Sequence, residues 1–432
     1  TQRTPQVQKY LGQTPANLRQ TEHLTTLSLR FYTPTRSVQD IEQAIAQDRP
    51  VYFLSTEAES PLAQKLPAGD LYLSRLSPPS PRRSPTEDEL LSQDLTLTAV
   101  AQVNPTVYRL TLSRTDCRGE YSGPECSLTA KWKPLGPQAS EQQDGIEGNN
   151  APRCELAARR IDRFLFPDAP ERQLVPEVVV RAFHRNVPCD RACRTVPKIM
   201  GSDTAATFPE INDHLVLGAL TDWIDDAVMP LRFHGELWNP ERFRIDRGYR
   251  HAIADLWTFL VLIHHGDANY ADNFLWQPLT PTRIYSIDNG RSLDGLPYYS
   301  DDADPDWQPL AKLYPHSPPV PALSAQTLRQ LALLPHATLP QELYLVAAVD
   351  LRSGRAVPAP HTDPSLARFA RKPLGTQPGL TVLGPGRYLA PASESGGPWL
   401  LLGLTEQGVA DLVERAEQLV HQSQAAHIPL FE

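Results

Sequence analysis

Basic tracts, long apolar runs and cysteine are all scarce in this chain of 432 residues. Its 41 basic residues are outnumbered by 50 acidic ones, giving a net charge of −9, and no stretch of Lys and Arg is dense enough to grip a polyphosphate backbone. Nucleic acid is therefore not an expected partner. The strongest apolar run, 256–263, is bounded by Asp255 and His264 and is far shorter than a bilayer requires, so no transmembrane helix is expected. Internal repeats are also lacking. Five cysteines are too few for a disulfide scaffold, but four of them fall in two close pairs. Cys117 and Cys126 flank a probable hairpin tip, and Cys189 and Cys193 flank Asp-Arg-Ala in a proline-rich loop, leaving Cys154 in a helix. The pairs read either as two loop disulfides, implying an oxidising compartment, or as reduced loop thiols. A zinc site is disfavoured by the irregular spacing. The chain begins at Thr1, which fits a removed signal peptide and equally an artificial start; the disulfide reading predicts a secreted, periplasmic or secretory-luminal location, the alternative being cytoplasmic.

What is present is a chain with 41% hydrophobic residues, enough for a substantial core. A helix is predicted at 38–46 and short strands at 51–54 and 71–73. The segment 77–85, SPPSPRRSP, reads as a stiff linker. Three strands follow at 95–101, 107–113 and 127–132, the last running into Lys131-Trp132-Lys133-Pro134. A helix over 154–166 buries Cys154, Ala157, Ala158, Ile161 and Leu165 and points Arg159, Arg160 and Arg163 outward. Further strands are predicted at 175–183, 343–349 and 381–389, and Gly218-Ala-Leu-Thr-Asp-Trp marks a crossing from a sheet-rich to a helix-rich half. Helices are predicted at 251–263, 326–334 and 405–424.

Chemistry concentrates in 264–291, HHGDANYADNFLWQPLTPTRIYSIDNGR. Asp267 and Asn273 project from a polar loop after the apolar helix, and Asp288 opens Asp-Asn-Gly behind a short strand. A carboxylate and an amide on one loop, facing a second carboxylate on a strand end, suit a divalent cation beside a hydroxyl nucleophile, the arrangement that phosphoryl transfer uses. Asp, Asn and Gly are also ordinary turn formers, and that reading stands beside the catalytic one. Lys133, before the proline that ends its strand, can reach an anionic ligand or remain a solvated strand-end charge. Glu155 either complements the helix dipole or pairs with Lys133.

The order of these parts resembles the secretory-pathway atypical kinases, the family of the Golgi casein kinase, the glycosaminoglycan xylosyl kinase and four-jointed. More distantly it is similar to the HipA-type and phosphoinositide-kinase-like bacterial kinases. The resemblance is carried by Trp132-Lys133-Pro134, CELAARRIDRFLF from Cys154, VPEVVVR from Val175 and SIDNGRS from Ser286, and it covers about 95–295. It implies an α+β, atypical bilobal protein-kinase-like fold with an N-terminal α/β extension. The corresponding organisation is an extension over 1–76, a linker over 77–88, a sheet-rich lobe over 89–222 and a helical lobe over 223–432 with a late inserted segment at about 336–400. It further implies that Lys133 and Glu155 bind or orient ATP, that Asp288, Asn273 and Glu155 hold Mg or Mn, and that Asp267 is the catalytic acid/base. The implied activity is transfer of the γ-phosphoryl group to a hydroxyl of a protein or glycan acceptor. A pseudokinase acting as a binding or scaffold subunit and an AMP transferase are the alternatives. The chain departs from the pattern at 101–106, AQVNPT, where a phosphate-covering loop is expected but no glycine stands, and in having Ala268 after Asp267 and Asp272 beside Asn273.

Overall fold

Alternation of apolar and polar residues builds two antiparallel sheets, and helical periodicity builds the layers that cover them. The structure, a computed structural model, describes residues 51–55, 64–65, 72–76, 85, 87–91, 95–104, 107–114, 127–134, 151–184, 215–224, 227, 240–265, 273–277, 283–293, 322–352, 354–357, 360–392, 398–425 and 429–432. The chain divides into two compact units, Thr1–Arg82 with Pro278–Thr280, and Arg83–Gln277 with Pro281–Glu432. In the first, β1 (Val51–Ser55) pairs antiparallel with β3 (Tyr72–Leu76), which also pairs with β2 (Gln64–Lys65). The predicted helix at 38–46, the linker over 77–84 and both cysteine pairs lie outside the described residues.

The second unit opens with α1 (Glu87–Leu91) and a five-stranded antiparallel sheet in the order β4 (Leu95–Asn104), β5 (Val107–Arg114), β6 (Ser127–Pro134), β8 (Leu215–Asp222), β7 (Val178–His184). One sheet face carries its own core of Leu90, Tyr108, Leu110, Leu112, Trp132, Phe183 and Leu220. Residues 101–104, read as part of a turn, instead continue β4, so the connection to β5 is only the two residues 105–106. Gly218, read as part of a crossing between halves, lies inside β8 opposite Pro134. A Cβ there would collide with the Lys133 carbonyl and the Trp132 indole, so the close approach of β6 and β8 needs glycine at this position.

The helix α2 (Pro152–Leu165) buries Cys154, Ala157, Ala158, Ile161 and Leu165, as its periodicity predicts. Its arginines correct the outward-facing expectation. Arg160 donates to the carbonyls of Glu342, Leu345 and Val346 and meets His361 Nδ1. Arg159 bonds Asp162, Glu177 and the Val175 carbonyl, and Arg163, partly exposed, also pairs with Glu177. Burial, with a smaller push from Arg163, lowers the Arg160 guanidinium to about 10 against the opposing pull of Glu87 and Glu342. A guanidinium can enter a core when its donors all find oxygen, and periodicity cannot register that. The strand predicted from Val175 starts later, at Val178, because Asp162 takes the amides of Leu174 and Val175 at 2.8 and 3.1 Å.

Next come α3 (Pro240–Ile245) and α4 (Arg247–Ile263), whose N-cap Asp246 accepts from Tyr249 N at 3.0 Å. Tyr249, Ile253, Leu256, Phe259, Leu260 and Leu262 are buried along α4. Its one buried acid, Asp255, is met bidentately by Arg172 and also accepts from the Thr327 hydroxyl. The hairpin of β9 (Phe274–Gln277) and β10 (Arg283–Ser286) packs beside it. Then follow β11 (Leu323–Ser324), α5 (Ala325–Leu333) and α6 (Leu339–Glu342).

A second five-stranded antiparallel sheet runs β13 (Ala356–Val357), β12 (Ala347–Asp350), β16 (Trp399–Leu402), β15 (Arg387–Ala390), β14 (Thr381–Gly384). The single strand expected over 381–389 is thus two, because Gly386 adopts φ +63 and reverses the chain. The amphipathic α7 (Glu406–Ala425) buries Val409, Leu412, Ala416 and Leu419, and β17 (Leu430–Phe431) returns parallel to β11. Helices and antiparallel sheets together give an α+β architecture. Among the described residues no helix is long and apolar enough to cross a membrane.

Candidate functional site

Strand alternation sends Trp132 into the sheet core and turns Lys131 and Lys133 to the opposite face. Lys133 is buried, 3% exposed, and its ammonium forms an ion pair with Asp288 Oδ1. A buried ammonium without a carboxylate or comparable partner would be costly, so this contact fixes the lysine's direction. The Asp288 side chain is the less buried partner, 32% exposed.

Asp288 is held in the left-handed region, φ 63 and ψ 42, at the start of the 3-10 turn Asn289–Arg291. His264 (φ 47), which caps the end of α4, and Leu293 (φ 68) are the other non-glycine residues with positive φ among those described. The Leu293 amide donates to the Ile263 carbonyl at 2.7 Å, so all three fall in one locality. A bulky leucine at positive φ is disfavoured, and such conformations persist only where surroundings impose them. Those surroundings are visible. The Asn289 amide donates to Glu155 Oε2 at 3.0 Å, Asn289 Oδ1 accepts from the Ser286 hydroxyl at 2.7 Å, and the Ser292 hydroxyl donates to the Asn289 carbonyl at 2.7 Å. Ser286 N bonds the Leu174 carbonyl at 2.8 Å, and Ile287 N bonds the Asn273 carbonyl at 2.9 Å. The last contact extends the β9–β10 ladder by one pair and brings Asn273 alongside the residue preceding Asp288.

The structure therefore brings Lys133, Asp288, Glu155 and Asn273 to one end of the hairpin, while Asp267 and Asp272 lie outside the described residues. Glu155 departs from the pairing with Lys133 considered from sequence. It is buried, 4% exposed, and its carboxylate accepts from the Asn289 backbone, bracing the turn that carries Asp288. Sequence reasoning passed over three further residues. Lys131 was set aside in favour of Lys133, although period-2 alternation alone puts both on one face. His265 is fully buried beside Phe274. Asn289 reads as a turn former and is in fact the fully buried hub of the turn.

Burial alone would raise the Asp288 carboxyl, but Lys131, Lys133 with its hydrogen bond, and His265 outweigh it and hold the group far below the usual carboxylate range. Asp288 is thus an anion at any physiological pH. Its carboxylate and the Asn273 amide are hard oxygen donors of the kind Mg and Mn accept. Among the described residues no group of three or more His, Cys, Asp and Glu gathers into a closed cage. No family model and no curated protein sequence matches the chain.

Proposed function

We propose that the protein is a metal-dependent phosphotransferase of the atypical kinase type, moving the γ-phosphoryl group of ATP to a hydroxyl of a protein or glycan. The observation that carries this reading is the ion pair between buried Lys133 and the left-handed, partly exposed Asp288. It sets a fixed cation against a fixed anion at the point where the sheet of β4–β8 meets the β9–β10 hairpin. The resemblance in Trp132-Lys133-Pro134, the α2 sequence and Ser286–Arg291 supports the same assignment, together with a bilobal kinase-like arrangement of the second unit. On this reading Lys133 neutralises phosphate oxygens, and Asp288 with Asn273 holds Mg or Mn. Glu155 keeps the Asp288 turn in place through Asn289, and Asp267 takes the proton from the attacking hydroxyl. When bound, the cation supplies charge neutralisation on the transferring phosphate.

A second reading, a pseudokinase scaffold, is favoured by one observation: Glu155 is bound to the Asn289 backbone and does not orient Lys133. One experiment separates the readings. The purified full chain is incubated with manganese and ATP labelled on the γ or the α phosphate, wild type beside Asp288→Ala. Transfer of γ label by wild type alone is expected. Transfer of α label would replace the kinase reading with AMP transfer, and nucleotide binding without transfer of either label would leave the scaffold.

A further inference from the structure

Lys131 lies two positions before Lys133 on the same face of β6, about 6–7 Å along the strand. Its neighbours in the sheet are Arg109 on β5 and Thr221 on β8. Neither supplies negative charge, and among the described residues no carboxylate lies within salt-bridge distance of Lys131. Its side chain is nevertheless half-buried, where an ordinary strand-end lysine would extend into water. It lies on the face of the strand from which Lys133 reaches Asp288. The site thus presents two ammonium groups along one strand face, of which Lys133 is paired with Asp288 while no carboxylate of the described residues pairs with Lys131. A ligand with one phosphate needs only one of the two cations. A ligand with consecutive phosphates can engage both.

We propose that Lys131 is a second phosphate-contacting residue, and that Lys131 and Lys133 together select a ligand bearing a di- or triphosphate over one bearing a single phosphate. This rests on the phosphotransferase reading and names which part of the ligand the strand face recognises. Calorimetric titration of the full chain with ADP, AMP and inorganic tripolyphosphate, each with manganese, tests it in wild type, Lys131→Met, Lys131→Gln, Lys131→Arg and Lys133→Met. Loss of one charge-assisted contact is worth on the order of tenfold in affinity. The Met and Gln variants are expected to weaken ADP and tripolyphosphate about five- to tenfold and AMP less than about twofold, with Arg restoring most of the loss. Wild-type affinity for ADP in both Lys131→Met and Lys131→Gln, with loss in Lys133→Met, would overturn the proposal and leave the phosphotransferase reading intact. An equal loss for AMP and ADP would overturn it too. Failure of wild type to bind any of the three would bring down the underlying reading, and the proposal with it.

Discussion

Lys133 and Asp288 are 155 positions apart in the chain and form an ion pair between a sheet strand and a left-handed turn. The lysine is the more deeply buried partner, 4% exposed at its side chain against 32% for the aspartate. Removing either partner is therefore not equivalent. Asp288→Asn leaves a buried ammonium without its carboxylate and is expected to cost about 1–2 kcal/mol in urea unfolding. Lys133→Met keeps the apolar stem and is expected to be nearly neutral in stability while weakening nucleotide binding at least about tenfold. Equal stability losses in the two variants would show that burial of the ammonium is not what the carboxylate offsets.

Glu155 acts in this structure through a hydrogen bond to a backbone amide that is otherwise enclosed. Glu155→Gln retains an acceptor oxygen and is expected to stay within about 1 kcal/mol of wild type. Glu155→Ala strands the Asn289 amide and should cost about 1–3 kcal/mol. Hydrogen exchange at Asn289, faster in the alanine variant and near wild type in the glutamine variant, is the local measurement. Identical exchange in both would remove Glu155 from its bracing role.

Gly218 faces the Lys133 carbonyl and the Trp132 indole too closely for any side chain. Gly218→Ala forces β6 and β8 apart at the strand pair that positions Lys133, at a cost of about 1–3 kcal/mol. A lowered thermal midpoint together with weakened nucleotide binding is expected, because the same displacement moves the ammonium. A variant as stable as wild type would contradict the register of Lys133 against Ala219.

His251 on α4 packs edge-on against Phe431 with ring centres 4.9 Å apart. Burial, and then repulsion from Arg172, Arg247 and Arg250, lower its imidazole to about 4. The unfolded chain, with histidine near 6.5, binds the extra proton first. Its contribution is therefore complete above about pH 6.5 and is lost as pH falls toward 4. Asp162 and Asp255, lifted to about 6 chiefly by burial, work in the opposite sense over the same interval, since the folded state holds their protons longer. The effect of His251 is isolated by comparison with His251→Gln. Between pH 7 and 4.5 the urea midpoint of wild type should fall relative to that of the variant. A constant difference would sink the assignment.

Periodicity made the helices expected at 154–166, 251–263 and 405–424 and the strands β4, β5, β6 and β7 legible before any coordinates, whereas β8 was read as a crossing between halves. Each buries a regular stripe of its own side chains, and that signal is local. Where the readings failed, a distant partner had intervened. Arg160 turns inward because the carbonyls of Glu342, Leu345 and Val346 receive it. The strand at Val178 starts late because Asp162 claims the amides before it.

The sequence by itself determined that acidic and amide side chains gather in 264–291 and that Lys133 stands at a strand end, since residue type and alternation are properties of neighbouring positions. Only the tertiary structure decided that Lys133 meets Asp288 and that Glu155 serves the Asn289 backbone. Those contacts join residues far apart in the chain once the sheet, α2 and the hairpin have packed, and no local pattern encodes them.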